Sequence, residues 1–152
     1  MKYILVLGLI FAFNMSVFSQ NDNPNYDKEL AEKLGADEYG MKQYFFVLLR
    51  TGNNDTTNQE FINKCFEGHM SNIWKLEEEG KLIIAGPFFK NDKDYRGLYI
   101  FDVKNKEELE KVLLSDPAIE ADLLSAEITP WYGSAALKEY LEFSDKIWKK
   151  KP

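Results

Sequence analysis

The apolar runs of this chain do not alternate with polar residues, and this constrains the fold more than any other feature. Residues 44–49 and 98–101 are continuous runs of apolar and aromatic side chains. Such strands are typical of sheets covered on both faces, because a strand with one wet face alternates. Exposed apolar surface costs roughly 25 cal/mol per Å². We therefore expect helices on one face of a sheet. On the other face, terminal helices could cover part, and a second copy in a homodimer would cover more.

The predicted strands and helices follow one another in an informative order. Strand-like runs separated by turn residues occur at 43–49, 82–89, 95–103 and 123–132. One helical pattern lies between the first and second runs, and another lies between the third and fourth. This order predicts an α+β, ferredoxin-like βαββαβ fold with a four-stranded antiparallel sheet and extra N- and C-terminal helices. Because Pro130 cannot donate to a sheet ladder, the fourth strand is expected at an edge.

The two central helices carry end signals in the sequence. Thr57 followed by Glu60 is typical of a capping box, and Gly80 is typical of a helix stop. The second helix is expected to begin after Asn105. It should break at Asp116, because the residue before a proline is pushed out of the helical region. The sequence therefore bounds both helices.

Residues 1–19 have the pattern of a cleavable signal peptide. Lys2 gives a positive start, an apolar run follows, and the segment ending at Ser19 has small residues where a signal peptidase cuts. The run stops at Asn14, short of the ~20 apolar residues that a spanning helix needs. We therefore expect a secreted or periplasmic protein with no membrane association after cleavage. The expected parts are a linker and short helix over 20–40, the ferredoxin-like domain over 41–133 and a C-terminal helix over 134–152.

Charge and cysteine content narrow the range of partners. The formal net charge of −6 repels phosphate backbones, so nucleic acid is not an expected partner. Cys65 is the only cysteine, and it lies one helical turn before His69. That spacing suits a thiolate–imidazolium pair or two metal ligands, although a small buried side chain is the simpler interpretation. One histidine and one cysteine are too few for a metal site, and no phosphate-binding glycine loop is present. We therefore expect neither a metal nor a cofactor.

His69 is the only histidine of the chain and the first candidate for chemistry. It lies on the apolar face of its helix, where it could act as a general acid or base near neutral pH. It could equally be a buried ring satisfied by one hydrogen bond. Asp116, which precedes Pro117, could cap a short helix and could also orient an imidazole. The sequence pattern alone leaves these alternatives open.

Four further residues could contact a small molecule. Arg96, at the start of the third strand, could bind a carboxylate through two hydrogen bonds, or it could be a solvated strand end. Phe88, Trp131 and Tyr132 could line an apolar pocket, or they could form an edge of the core. We retain all four as candidate substrate-binding residues.

One set of motifs, in this order and at this spacing, is specific. It comprises His69, residues 76–82, 85–88 and 96–103, Asp116 to Ala118, and residues 127–128 and 130–135. Over residues 41–136 the chain thereby resembles the YciI-like (YCII-related domain) family of the dimeric α/β-barrel superfamily. The resemblance implies a ferredoxin-like protomer that dimerises through its sheet face. It also implies a His–Asp pair, at His69 and Asp116.

Two functional hypotheses follow. In the first, the protein is an enzyme that uses His69 and Asp116 for acid–base chemistry of the lyase or isomerase type on a small organic molecule. In the second, the same pocket is a non-catalytic small-molecule-binding module of the cell envelope. The chain has Glu120-Ala121-Asp122 where many members that it resembles have Lys-Ala-Gly, and Thr129 where many have histidine. Substrate preference therefore does not follow from the resemblance.

Overall fold

A computed structural model of the protein describes residues 23–150, so the expected signal peptide at 1–19 lies outside the described residues. Within them, none of the helices is long and apolar enough to cross a membrane. The strands are β1 (Met41–Thr51), β2 (Leu82–Pro87), β3 (Tyr95–Phe101) and β4 (Leu124–Ser134). The helices are α1 (Lys28–Leu34), α2 (Gln59–Glu78), α3 (Lys106–Leu114), α4 (Pro117–Glu120) and α5 (Leu141–Ile147), and a 3-10 helix (Ala135–Tyr140) precedes α5.

The four strands form one antiparallel sheet in the spatial order β2-β3-β1-β4. This order confirms the predicted ferredoxin-like arrangement, in which the two crossover helices pack on the same face. Strand β4 lies at the edge, as expected from Pro130, which is paired in register with Phe45. An edge tolerates proline because the missing N–H is not needed by a further strand.

The helix ends follow the capping signals, with one correction. The N-cap of α2 is Asn58, whose side chain accepts a hydrogen bond from the N–H of Phe61, so the prediction of Thr57 was wrong by one residue. Asparagine caps at least as well as threonine, which explains why the neighbouring position is used. Helix α2 stops before Gly80, which has φ +66°, and Asn105 caps α3 as predicted.

Two hydrophobic clusters lie on opposite faces of the sheet. On the helix-covered face, side chains of β1, β3 and β4 pack against α2, α3 and α4. On the other face, Tyr44, Ile83 and Ile100 pack against Leu137 and Leu141. The C-terminal segment of the same chain therefore covers part of the second face. This segment is a 3-10 helix followed by α5, whereas the sequence predicted one C-terminal helix that begins at residue 134.

Polar contacts hold the C-terminal segment on the sheet. The hydroxyl of Tyr44 donates to the carbonyl oxygen of Ala135, the first residue of the 3-10 helix, at 3.3 Å, and lies 3.1 Å from the carbonyl oxygen of Ser134. Asp102, at the end of β3, accepts from the Nζ of Lys42 at 3.0 Å and from the Nζ of Lys138 at 3.4 Å. These contacts fix the segment at one end of the second face. The predicted homodimer involves the same face and stays a prediction.

Candidate active site

His69 and Asp116 meet between α2 and α4. The Nδ1 atom of His69 lies 2.7 Å from Oδ2 of Asp116. His69 lies near the middle of α2, one turn from Cys65 and one turn from Ile73, so its ring faces the sheet. Its side chain is 12% exposed, and the side chain of Asp116 is 3% exposed. The two residues form a nearly dry pair 47 positions apart in the sequence.

Asp116 makes both contacts that its sequence context allowed. Its Oδ1 atom caps α4 by accepting from the N–H groups of Ala118 at 2.9 Å and Ile119 at 3.4 Å. Its Oδ2 atom faces His69. A buried carboxylate is costly unless its oxygens are hydrogen-bonded, and here backbone and imidazole donors supply both. Because an ionised carboxylate can only accept hydrogen bonds, this contact assigns the proton of the neutral His69 ring to Nδ1.

Gly68 allows α2 and α4 to approach closely enough for this contact. A Cβ atom at position 68 would lie 2.7 Å from Cγ of Pro117. Real Cβ atoms are essentially never found this close to another carbon, so only glycine fits here without a shift of the neighbouring atoms. The close approach holds Asp116, the residue before the proline, against the ring of His69. This role was not predicted from the sequence, although Gly-His in mid-helix was a visible signal because glycine weakens a helix.

Tyr99 is the second polar neighbour of His69. Its hydroxyl lies 3.4 Å from Nε2, and the centroids of the two rings are 6.3 Å apart. Burial raises the pKa of Tyr99 strongly, and the negative charge of Asp116 adds to the effect, so the hydroxyl stays protonated. Tyr99 was not among the site residues predicted from the sequence. Alternation from Phe101 on β3 could have placed it on the helix-covered face.

A cavity of about 460 Å³ opens beside His69 and Tyr99. Its walls come from α2, all four strands of the sheet and their ends, and they are mostly apolar: Leu49, Phe66, Ile73, Trp74, Pro87 and Leu124. The charged groups of the wall are Arg96 and Glu77. Glu77 is not a free carboxylate. A cavity of this size and composition suits a small organic molecule with one or a few polar groups.

A β-bulge brings Arg96 to this cavity. Along β1 and β3 the register steps from Leu49 opposite Gly97 to Arg50 opposite Tyr95, so Arg96 is the extra residue. Strict alternation would give Arg96 the same face as Leu98 and Ile100, away from His69. A bulge re-aims side chains at the point where it occurs. Among residues 23–150 no carboxylate forms an ion pair with Arg96, so its guanidinium can meet a ligand.

The other candidate substrate-binding residues lie elsewhere in the protomer. Trp131 is opposite Tyr44 in the register, with ring centroids 5.9 Å apart, and both lie on the face away from His69. The hydroxyl of Tyr132 donates to the carboxylate of Asp37. Phe88 follows the end of β2 and packs against Tyr95. None of the three contributes to the wall of the cavity, so their role in binding stays a prediction.

Within the described part of the chain, no group of three or more His, Cys, Asp and Glu side chains could hold a metal ion. Cys65 is buried, as its simpler interpretation required.

Comparison with known proteins identifies the family. The family model of the YCII-related domain matches residues 44–132, more than half of the chain. The chain belongs to the YCII-related domain family. No curated protein sequence matches it. The matched YCII-related domain contains His69, Tyr99, Arg96 and Asp116, whereas α1, the 3-10 helix and α5 lie outside it. The segment that covers the second face of the sheet therefore lies outside the matched residues.

A solved structure with a similar chain is that of 5-chloro-2-hydroxyhydroquinone dehydrochlorinase (TftG) from Burkholderia phenoliruptrix AC1100, in complex with 2,5-dihydroxybenzoquinone. The two chains are 21% identical and superpose with a TM-score of 0.42. The alignment covers 57% of this chain and 92% of the dehydrochlorinase.

Proposed function

We propose that the protein is a cofactor-independent enzyme of the lyase or isomerase type. In this proposal His69 moves a proton on a small organic molecule, and Asp116 orients its ring. The observation that carries the proposal is the 2.7 Å contact between a buried carboxylate and the only histidine, at the wall of an apolar cavity. Positioned proton transfer of this kind contributes about 10²–10⁴-fold to a rate.

The arrangement of the pair supports a base at Nε2. With the proton of the neutral ring on Nδ1, held by Asp116, Nε2 keeps its lone pair on the side of Tyr99 and the cavity. When Nε2 accepts a proton, the ring becomes a cation that contacts a carboxylate at hydrogen-bond distance. The carboxylate thus stabilises the state that the reaction creates. A histidine with only a structural role would not need an open cavity at its second nitrogen.

Arg96 supports a substrate that carries a negative charge. Its guanidinium is the positive group of the cavity wall, and a β-bulge directs it there. Guanidinium binds carboxylates through two parallel hydrogen bonds. Glu77 on the same wall has an interaction of its own. We propose that Arg96 holds an anionic substituent while His69 faces the reacting part of the molecule.

The proposal also includes a cellular localisation and a partner subunit. The leader pattern at 1–19 supports a secreted or periplasmic protein. Half-buried Phe46, Ile84 and Leu98 support a homodimer through the part of the second sheet face that the C-terminal segment leaves open. Exposed Trp131 lies on the same face and would add to such an interface. The acidic charge disfavours nucleic acid as a partner.

Hydrogen–deuterium exchange tests the acid–base function without knowledge of the natural substrate. A panel of small carbonyl compounds, with and without a carboxylate, is incubated with the mature protein in heavy water. Deuterium gained at carbon is measured by mass spectrometry. We expect exchange with the wild-type protein, none with His69→Asn, and wild-type exchange with Lys75→Gln, an exposed change on the same helix.

Two outcomes would contradict the proposed enzymatic function. Undiminished exchange in His69→Asn would remove the proposed role of the imidazole. Compounds that raise the melting temperature but exchange no hydrogen would favour the non-catalytic binding module of the cell envelope.

A further inference from the structure

The Tyr99 hydroxyl occupies a position that the acid–base function above does not use. It lies 3.4 Å from Nε2 of His69, on the opposite side of the ring from Asp116. Tyr99 is 4% exposed, yet it forms part of the cavity wall together with His69 and Arg96. Among residues 23–150, this hydroxyl is the hydrogen-bond partner of Nε2. Any ligand atom that approaches Nε2 from the cavity therefore also approaches Tyr99.

We propose that the Tyr99 hydroxyl donates a hydrogen bond to the oxyanion of the reacting molecule, and that this molecule is a carbonyl compound with an acidic C–H next to the carbonyl. The inference rests on the proposed function and adds a residue and a substrate class to it. A phenol hydroxyl has one proton and two acceptor positions. Its direction of donation therefore depends on what its neighbour can offer.

The protonation of His69 determines that direction. While the ring is neutral, Nε2 can only accept, and the Tyr99 proton points towards it. Once Nε2 carries a proton it can only donate, so the Tyr99 oxygen becomes the acceptor. The Tyr99 proton must then turn to another acceptor in a cavity with mostly apolar walls. An oxygen of the bound molecule that has just become negative fulfils this requirement.

The chemical step balances without a further reactant. The C–H bond next to the carbonyl breaks, the proton moves to Nε2, and the electron pair passes to the carbonyl oxygen to form an enolate. Tyr99 donates a hydrogen bond to that oxygen and keeps its own proton, because burial raises its pKa well above its usual range. Return of the proton from Nε2 to another carbon gives isomerisation. Departure of a leaving group with its electron pair from the next carbon gives elimination.

Spectroscopy with para-nitrophenol tests the inference independently of turnover. Its anion carries a delocalised oxyanion like that of an enolate, and it absorbs at a different wavelength from the neutral phenol. Because the chain has one histidine, isotope-labelled histidine in a protein without a histidine tag gives NMR signals from His69 alone. We expect the wild-type protein to bind the probe as its anion, with the proton on Nε2.

Two variants separate the hydroxyl from the ring. Tyr99→Phe keeps the edge-to-face contact with Phe101, whose centroid lies 5.5 Å away, so the variant is expected to fold. It should bind the anion about 10- to 100-fold more weakly, as expected for the loss of a hydrogen bond to a charged group. Tyr95→Phe removes a hydroxyl from the same strand, where the ring stacks on Arg50, and should leave binding unchanged.

The results distinguish the role of Tyr99 from the acid–base function of His69 on which it rests. Equal affinity of wild type and Tyr99→Phe for the anion, with Nε2 protonated in both, would overturn the role of Tyr99 and keep His69 as the base. A wild-type complex in which Nε2 stays unprotonated would overturn the acid–base function as well. Failure of the wild-type protein to bind the probe would overturn the oxyanion site itself.

Discussion

Replacement of Asp116 by asparagine would test how one carboxylate serves both a helix cap and an imidazole. The carboxylate has two acceptor oxygens, one for the backbone of α4 and one for His69. The amide has one acceptor oxygen and one donor group in the same space. The Asp116→Asn variant can therefore keep only one of the two contacts unchanged. The ring can move its own proton from Nδ1 to Nε2, but the backbone N–H groups cannot change, so we expect the cap to persist.

The expected loss of stability is small for asparagine and larger for alanine. Asparagine is as good an N-cap as aspartate, so that contact changes by a few tenths of a kcal/mol at most. A hydrogen bond to a charged group contributes about 1.5–3 kcal/mol and a neutral one about 0.5–1.5 kcal/mol, which leaves a net cost of about 1–1.5 kcal/mol. Asp116→Ala loses the cap as well, at about 1 kcal/mol, and should cost about 2.5–4 kcal/mol in total.

The expected functional loss of Asp116→Asn is much larger than its cost in stability. With the proton on Nε2, the lone pair of His69 points at the amide and no longer at the cavity. In serine proteases, the change of tautomer that follows the same substitution lowers kcat by about 10⁴-fold. Hydrogen–deuterium exchange of carbonyl compounds should therefore fall by several orders of magnitude in a protein that remains folded.

Two measurements on the same sample decide the matter. Urea unfolding gives the change in stability, and NMR of the labelled histidine reports which ring nitrogen carries the proton. If the Asp116→Asn variant kept the proton on Nδ1 and exchanged hydrogen at the wild-type rate, the carboxylate would not control the ring, and the reasoning would be refuted.

Three further predictions concern packing. Gly68→Ala should lower the free energy of unfolding in urea by about 1–3 kcal/mol, because the new Cβ meets Pro117. An increase of about 1 kcal/mol, as expected for the same change in an exposed helix, would contradict this. Burial, and secondarily the charge of Asp102, raises the pKa of Tyr44 to about 12. The protonated hydroxyl therefore contributes up to roughly 2–3 kcal/mol to the free energy of unfolding below pH ~10, and this contribution is lost as the pH rises towards ~12. Tyr44→Phe should weaken that alkaline loss in pH-dependent unfolding. Leu98→Glu should dissociate the proposed homodimer in sedimentation, whereas Phe89→Glu, at a 96% exposed site, should not.

The fold could be predicted from local sequence signals. Apolar runs without alternation marked the strands, and Asn105 and Gly80 marked helix ends that the structure retains. Asp116 followed by Pro117 marked the short α4. These signals are readable because capping and backbone preference act over a few residues. The family resemblance at the same motifs agrees with the match to the YCII-related domain.

The remaining features depend on register and on contacts between distant residues. Alternation alone cannot show that Arg96 is an extra residue in β3, because the register is fixed by pairing with β1. The contact of Gly68 with Pro117 joins two helices that are far apart in the sequence. The pairing of Trp131 with Tyr44, which fixes the sheet face of Trp131 in the protomer, likewise could not be read from the sequence.

The extra residue at Arg96 has a consequence for comparison between relatives. A chain one residue shorter at this point of β3 would regain strict alternation, and its arginine would lie on the side of the sheet away from the imidazole. The cavity would then lack its positive group, although every surrounding side chain stayed the same. Such a relative should select neutral molecules over acids. The length of β3 at this point would therefore distinguish relatives that bind acids from relatives that bind neutral molecules, even where their residues are identical.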